Sequence, residues 1–108
     1  MATVTLNADA IVDWPSFHEQ CAERFGFPSF YGRNMNAWID CLTYLPDGDG
    51  MSRFKLGPEE TLAIHVVGYE QFSKRVPEIS SALLECAAVV NQRYVSAGEQ
   101  PRLELVLQ

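Results

Sequence analysis

The chain has 108 residues, of which 47% are hydrophobic and 20% charged, and its formal net charge is −6 at pH 7. This length suits one domain over residues 1–108, because two halves would each be too small to bury a stable core. The acidic balance repels phosphate backbones, which argues against direct binding of nucleic acid. The negative charge would favour binding of a cationic partner, although its role could equally be only to keep the protein soluble.

The residues that could bind metals or cofactors are few and scattered. Cys21, Cys41 and Cys86 form no CxxC pair, and His18 and His65 are the only histidines. No glycine-rich phosphate loop is present, so we expect neither a metal nor a cofactor. The first residues lack both a basic start and a long apolar run, which predicts no signal peptide and no membrane span. With free cysteines, this pattern predicts a cytoplasmic protein.

The first third of the chain predicts a strand and two helices around an aromatic loop. Residues 3–6 are typical of a short strand, and Asp13 can cap a helix from Trp14 to Phe25 that ends at Gly26. The loop 27–32 precedes a second helix from about Asn34 to Leu45. This helix carries a buried stripe of Met35, Trp38, Ile39 and Leu42 and a polar face of Asn36, Asp40, Thr43 and Tyr44.

The remainder predicts a long surface loop, two more strands and the longest helix. The loop runs from about 46 to 60, and we interpret its Asp47-Gly48-Asp49-Gly50 stretch as a solvated turn rather than a calcium site. Residues 61–67 suit a central strand covered on both faces. After a short helical turn over 68–74, a helix follows from Pro77 to about Tyr94, and residues 102–107 form the last strand. The predicted buried stripe of the helix from Pro77 consists of Ile79, Leu83, Cys86, Val90 and Tyr94.

Strands that alternate with helices favour an α/β fold, a three-stranded parallel sheet packed with three to four helices. Within it, we expect His65 to be a hydrogen-bonded core residue and His18 to lie at the surface. The sequence contains little that would support catalysis, so we expect that the protein is not an enzyme. The one enzymatic alternative pairs Asp40 with Tyr31 or His65 as acid and base.

Residues 27–43, FPSFYGRNMNAWIDCLT, resemble the most characteristic region of the barstar family. The resemblance extends over most of the chain, with the loop near 46–60 as an insertion. It implies a barstar-like domain whose function lies on the second helix and the loop before it. The matching residues are Pro28, Tyr31, Gly32, Asn34, Ala37, Asp40, Cys41, Leu42 and Thr43.

The resemblance implies a protein inhibitor of immunity type. Such a protein covers the active site of a basic, extracellular-type ribonuclease or similar toxin with an acidic helix and the aromatic loop. Asp40 matches the central inhibitory aspartate of the family, and the free protein is expected to be a monomer. The residues expected to contact the partner are Phe30, Tyr31, Gly32, Asn34, Asn36, Ile39, Asp40, Thr43 and Tyr44.

Four positions depart from the family pattern. Phe30 stands where a tyrosine is common, Asn36 where a second aspartate is usual, Ile39 where an interface tryptophan is usual, and Arg93 near an expected glutamate. These departures leave the expected fold unchanged. They keep open a second function, a divergent protein-binding module for a partner that is not a nuclease.

Overall fold

A computed structural model describes residues 2–46 and 51–108. Its strands and helices alternate along the chain, and a single 3-10 turn, Ala8–Ala10, follows the first strand. The elements are β1 (Ala2–Asn7), α1 (Trp14–Phe25), α2 (Met35–Thr43), β2 (Leu62–Val67), α3 (Tyr69–Arg75), α4 (Pro77–Ser96) and β3 (Leu103–Leu107).

The three strands form one parallel sheet in the order β1-β2-β3. The predicted α/β fold, with its three-stranded parallel sheet and four α-helices, is therefore confirmed, and β2 is the central strand. One face of β2 is closed, since Leu62, Ile64 and Val66 are fully buried. The other face is partly open, because Val67 is 42% exposed. The expectation that both faces of β2 are covered was wrong.

His65 lies on this open face. Its side chain is half-buried, and Nδ1 lies 3.2 Å from Oε1 of Gln108. The residue is hydrogen-bonded as expected, but it is not a core residue, because its side chain remains partly exposed. The apolar pattern of a strand does not by itself show how completely helices cover each face of the sheet.

Helix α1 has the bounds that the sequence predicts. Asp13 and Ser16 form a reciprocal capping box at its start, and Gly26 ends it in the left-handed conformation with φ of 69°. A Cβ at Gly26 would also lie 2.7 Å from Cβ of Arg53, so both backbone and packing require glycine here.

The segment after α2 is more closely packed than a surface loop. The Asp47–Gly50 stretch lies outside the described residues, so its predicted turn is not assessed by the structure. Beyond it, the Arg53 amide and the Ser52 hydroxyl each donate to the Phe25 carbonyl, both at 2.9 Å. Leu56 is buried, at 3% exposure. This part of the chain therefore closes the end of α1 rather than extending into solvent.

Helix α4 continues two residues beyond the predicted end and packs against α2. Its buried face includes Leu83, Ala87 and Val90, whereas Cys86 is only partly buried. The predicted stripe is therefore correct except at Cys86, because Ala87 points more directly at the core. None of the described helices is both long and apolar enough to span a bilayer.

Candidate functional site

The loop before α2 is fixed by Asn34. Its Oδ1 accepts from the Ala37 amide at 2.8 Å, and its Nδ2 donates to the Gly32 carbonyl at 3.1 Å. Arg33, between them, has φ of 52°, an uncommon conformation for a residue other than glycine. Asn34 therefore caps α2 and sets the path of the preceding loop, which supports an architectural role beside any contact with a partner.

Helix α2 presents one apolar and one polar face. Trp38 and Leu42 are fully buried, and Ile39 is 8% exposed. Asn36 and Asp40 are exposed on the opposite side. Ile39 was expected both in the buried stripe and on the partner-contacting surface, and the structure places its side chain in the core. At this exposure, a partner would meet little of its side chain.

The aromatic loop has one exposed and one buried ring. Phe30 is 75% exposed, whereas Tyr31 is 9% exposed and its hydroxyl lies 2.7 Å from Nδ1 of His18. Tyr31 was expected at the contact surface, and the structure places most of it below that surface. His18 was expected at the surface, which was wrong, because it is 4% exposed beneath the stacked ring of Trp14.

The protonation states of this buried pair follow from its surroundings. Burial lowers the pKa of His18, and the positive charge of Arg33 lowers it further. Burial also raises the pKa of Tyr31. The tyrosine hydroxyl therefore remains protonated, and it shares one hydrogen bond with Nδ1 of a neutral His18. Protonation of His18 would place a positive charge in this buried site, close to the charge of Arg33, and would therefore destabilise the contact between α1 and the loop.

We expect stability to fall in mild acid because of His18. Its folded pKa lies below the ordinary value of 6.5, so the unfolded chain takes up a proton first as the pH falls. The free energy of unfolding should then drop as the pH decreases below 6.5 toward the folded pKa. Urea unfolding at several values between about pH 5 and pH 7 measures this slope. His18→Gln should flatten it, and an unchanged slope would contradict the assignment.

Asp40 is held by a residue of α4. Nη1 of Arg93 lies 2.9 Å from Oδ1 of Asp40 and 3.3 Å from Oγ1 of Thr43. The pair is open to solvent, with 57% of the Asp40 side chain and 45% of the Arg93 side chain exposed. The exposed face of α2 is therefore continuous with the last turns of α4, so Arg93 belongs to the candidate site.

Tyr94 fixes the position of α2 relative to α4. Its hydroxyl donates to the Leu42 carbonyl at 2.7 Å and accepts from the Leu45 amide at 3.2 Å, in buried surroundings. These bonds satisfy backbone groups at the end of α2 that the helix itself leaves unpaired. Because Arg93 is adjacent in sequence, the same contact helps to place its guanidinium beside Asp40.

Tyr94→Phe should therefore destabilise the fold by about 2 kcal/mol, because two buried backbone groups lose their partner. Tyr44→Phe is the matched control. Tyr44 is 42% exposed, and we expect its variant to change the free energy of unfolding by less than about 0.5 kcal/mol. Chemical denaturation of both variants measures the difference. Equal effects would show that the Tyr94 hydroxyl does not hold α2 in place.

The exposed surface around α2, here called the α2 face, displays groups that can bind a partner. Asp40 is the only carboxylate of α2. The proposed acid–base pairs are not formed in the described part of the chain, since Asp40 contacts Arg93 while Tyr31 and His65 have other partners. Residues 2–46 and 51–108 also contain no cluster of side chains able to hold a metal ion. The α2 face comprises Phe30, Gly32, Asn34, Asn36, Asp40, Thr43, Tyr44 and Arg93.

The described residues form a small α/β domain whose second helix displays an exposed face with aromatic rings before and after it. The family model described as "Barstar (barnase inhibitor)" matches residues 1–106, so the chain belongs to the barstar family. No curated protein matches the chain.

Proposed function

We propose that this chain inhibits a basic ribonuclease, or a similar toxin, by covering its active site with the α2 face. Membership of a family described as barnase inhibitors supports inhibition as the activity. The observation that carries the proposal is the position of Asp40, an exposed carboxylate on the helix that the aromatic loop leads into. We propose no catalytic role for the chain.

The chemistry of the target explains why a carboxylate is useful. A ribonuclease binds the phosphates of its substrate with cationic side chains, and a carboxylate can accept the same charge-assisted hydrogen bonds. Such bonds strengthen when docking excludes water. Asp40 would therefore occupy the place of a phosphate, and the net charge of −6 would speed the encounter with a basic protein.

Exposed rings at both ends of α2 would supply the apolar part of the interface. Phe30 is 75% exposed before the helix, and Tyr44 is 42% exposed at its end. Aromatic side chains bury a large area with few rotatable bonds, which makes them common anchors. Asn36 and Thr43 lie between these rings in sequence. Their polar groups would form hydrogen bonds with residues at the edge of the target's active site.

The inhibitor would act in the cytoplasm as a monomer when free. No disulfide joins Cys21, Cys41 and Cys86, and a reducing compartment would keep them as thiols. Two of these thiols are buried, which suits structural rather than reactive roles.

A second candidate function is a barstar-fold module that binds a protein other than a nuclease. The observation that favours it is the charge of the α2 face, where Asp40 is already paired with Arg93. A face with one carboxylate and one guanidinium is less anionic than a phosphate mimic needs to be.

Affinity capture distinguishes these functions. The wild-type chain and a Phe30→Ala variant are immobilised, proteins of the native host are passed over each, and the eluates are assayed for cleavage of RNA and identified by mass spectrometry. We expect a basic ribonuclease in the wild-type eluate and much less in the variant eluate. A captured protein without nuclease activity would favour the second function, and equal capture by both forms would show that Phe30 does not anchor the complex.

A further inference from the structure

We propose that Arg93 determines which targets the α2 face accepts. With Asp40 it forms a paired recognition element that selects a target presenting a cation next to a carboxylate and discriminates against a purely cationic active site. This inference rests on the proposed function, since it concerns the same face, and it adds the charge pattern of the partner.

The guanidinium of Arg93 is fixed over the last turn of α2. Its Nη1 donates to Oδ1 of Asp40 at 2.9 Å and approaches the Thr43 hydroxyl at 3.3 Å. That hydroxyl in turn donates to the Ile39 carbonyl at 2.7 Å, so its oxygen is oriented as an acceptor. Arg93 therefore has a defined position before any partner arrives.

The pair has unused hydrogen-bonding capacity. Within residues 2–46 and 51–108, Oδ2 of Asp40 has no donor, and Nε and Nη2 of Arg93 have no acceptor. A cation of the target can therefore bind Oδ2 without displacing Arg93. A carboxylate of the target can accept from the remaining guanidinium N–H groups, a geometry that arginine favours.

Docking makes this pattern selective. In the free chain the pair is exposed to water, so it adds little to stability and leaves both groups well solvated. In a complex both groups lose water, and arginine cannot lose its proton to avoid the cost of burial. A target with a carboxylate satisfies Arg93. A target that brings only cations leaves its guanidinium unsatisfied and adds like-charge repulsion.

Barnase is a suitable probe, because an active site that binds RNA phosphates is cationic. Its inhibition constants are measured with the wild-type chain, Arg93→Gln and Arg93→Glu. Lys74→Gln is the matched control, since it also removes one positive charge from an exposed helix position, and Lys74 pairs with Glu70 on α3 rather than with α2. Thermal unfolding checks that all four proteins are folded.

We expect both Arg93 variants to inhibit barnase more strongly than wild type, with a gain of about tenfold or more for Arg93→Glu. Lys74→Gln should match wild type. Inhibition by wild type that neither Arg93 variant improves would overturn the inference and leave the proposed function standing. If no form inhibits barnase, the inference is also wrong. The proposed function would fall only if the capture experiment yielded no ribonuclease as well.

Discussion

Asp40→Asn should weaken inhibition of the captured ribonuclease by about 30-fold or more, the loss typical of a central interface residue. The amide keeps the shape of the side chain but removes the charge that would bind the cations of the active site. The amide oxygen could still accept from Arg93, but it would no longer neutralise the guanidinium, leaving a net positive charge at the centre of the interface. The dependence of ribonuclease activity on inhibitor concentration gives the change in inhibition constant.

Glu78→Gln is the matched control for this substitution. It also removes one negative charge, and Glu78 is exposed in the first turn of α4. Arg93 lies fifteen positions along the same helix, or about 22 Å away at the rise of an α-helix. We expect Glu78→Gln to change inhibition by less than about threefold, since distant surface charges affect mainly the encounter rate. Comparable losses in both variants would show that overall charge, not Asp40, drives binding.

Trp38→Ala should lower the free energy of unfolding by about 3 to 5 kcal/mol, which is the usual cost of removing a buried aromatic ring. Trp38 is fully buried beneath α2 and meets Phe25 edge to face, with 6.2 Å between ring centroids. The resulting cavity would lie directly under the helix that carries Asp40. Chemical denaturation monitored by circular dichroism measures the loss.

The other tryptophan provides a comparison within the same chain. Trp14 is 36% exposed and covers His18, so Trp14→Ala should cost only about 1 to 2 kcal/mol. Trp38 lies next in sequence to Ile39, the position of the usual interface tryptophan, and its burial assigns it to the core instead. A larger loss from Trp14 than from Trp38 would contradict that assignment.

Local signals in the sequence were enough to predict most of the fold. Asp13 and Gly26 mark the two ends of α1, because capping and the left-handed stop depend on nearby residues. The apolar run that became β2 similarly indicates a central strand. The sequence also located the candidate site on α2, through a motif of consecutive residues.

The errors concern contacts between distant parts of the chain. His18 is buried because Tyr31 and Trp14 close over it, and the helical pattern of α1 alone does not reveal that cover. Ile39 lies at the boundary between the two faces of α2, so its spacing fitted both roles. Only the packing of α2 on the core decides between them.

The contact between Asp40 and Arg93 was the least predictable feature of the site. The two residues are 53 positions apart, and their meeting depends on how α2 and α4 pack. The sequence shows only that an arginine stands near an expected glutamate. In the fold, the Tyr94 hydroxyl binds the end of α2, and the neighbouring Arg93 is thereby placed beside Asp40.

The most direct test of the proposed binding surface is hydrogen–deuterium exchange of the chain with and without the captured ribonuclease. Complex formation should slow exchange in residues 28–44 and in the last turns of α4, because the α2 face would be covered. The open face of the sheet, which includes Val67, should exchange as in the free chain. Protection of that sheet face, with α2 unchanged, would contradict inhibition through Asp40 and the aromatic loop.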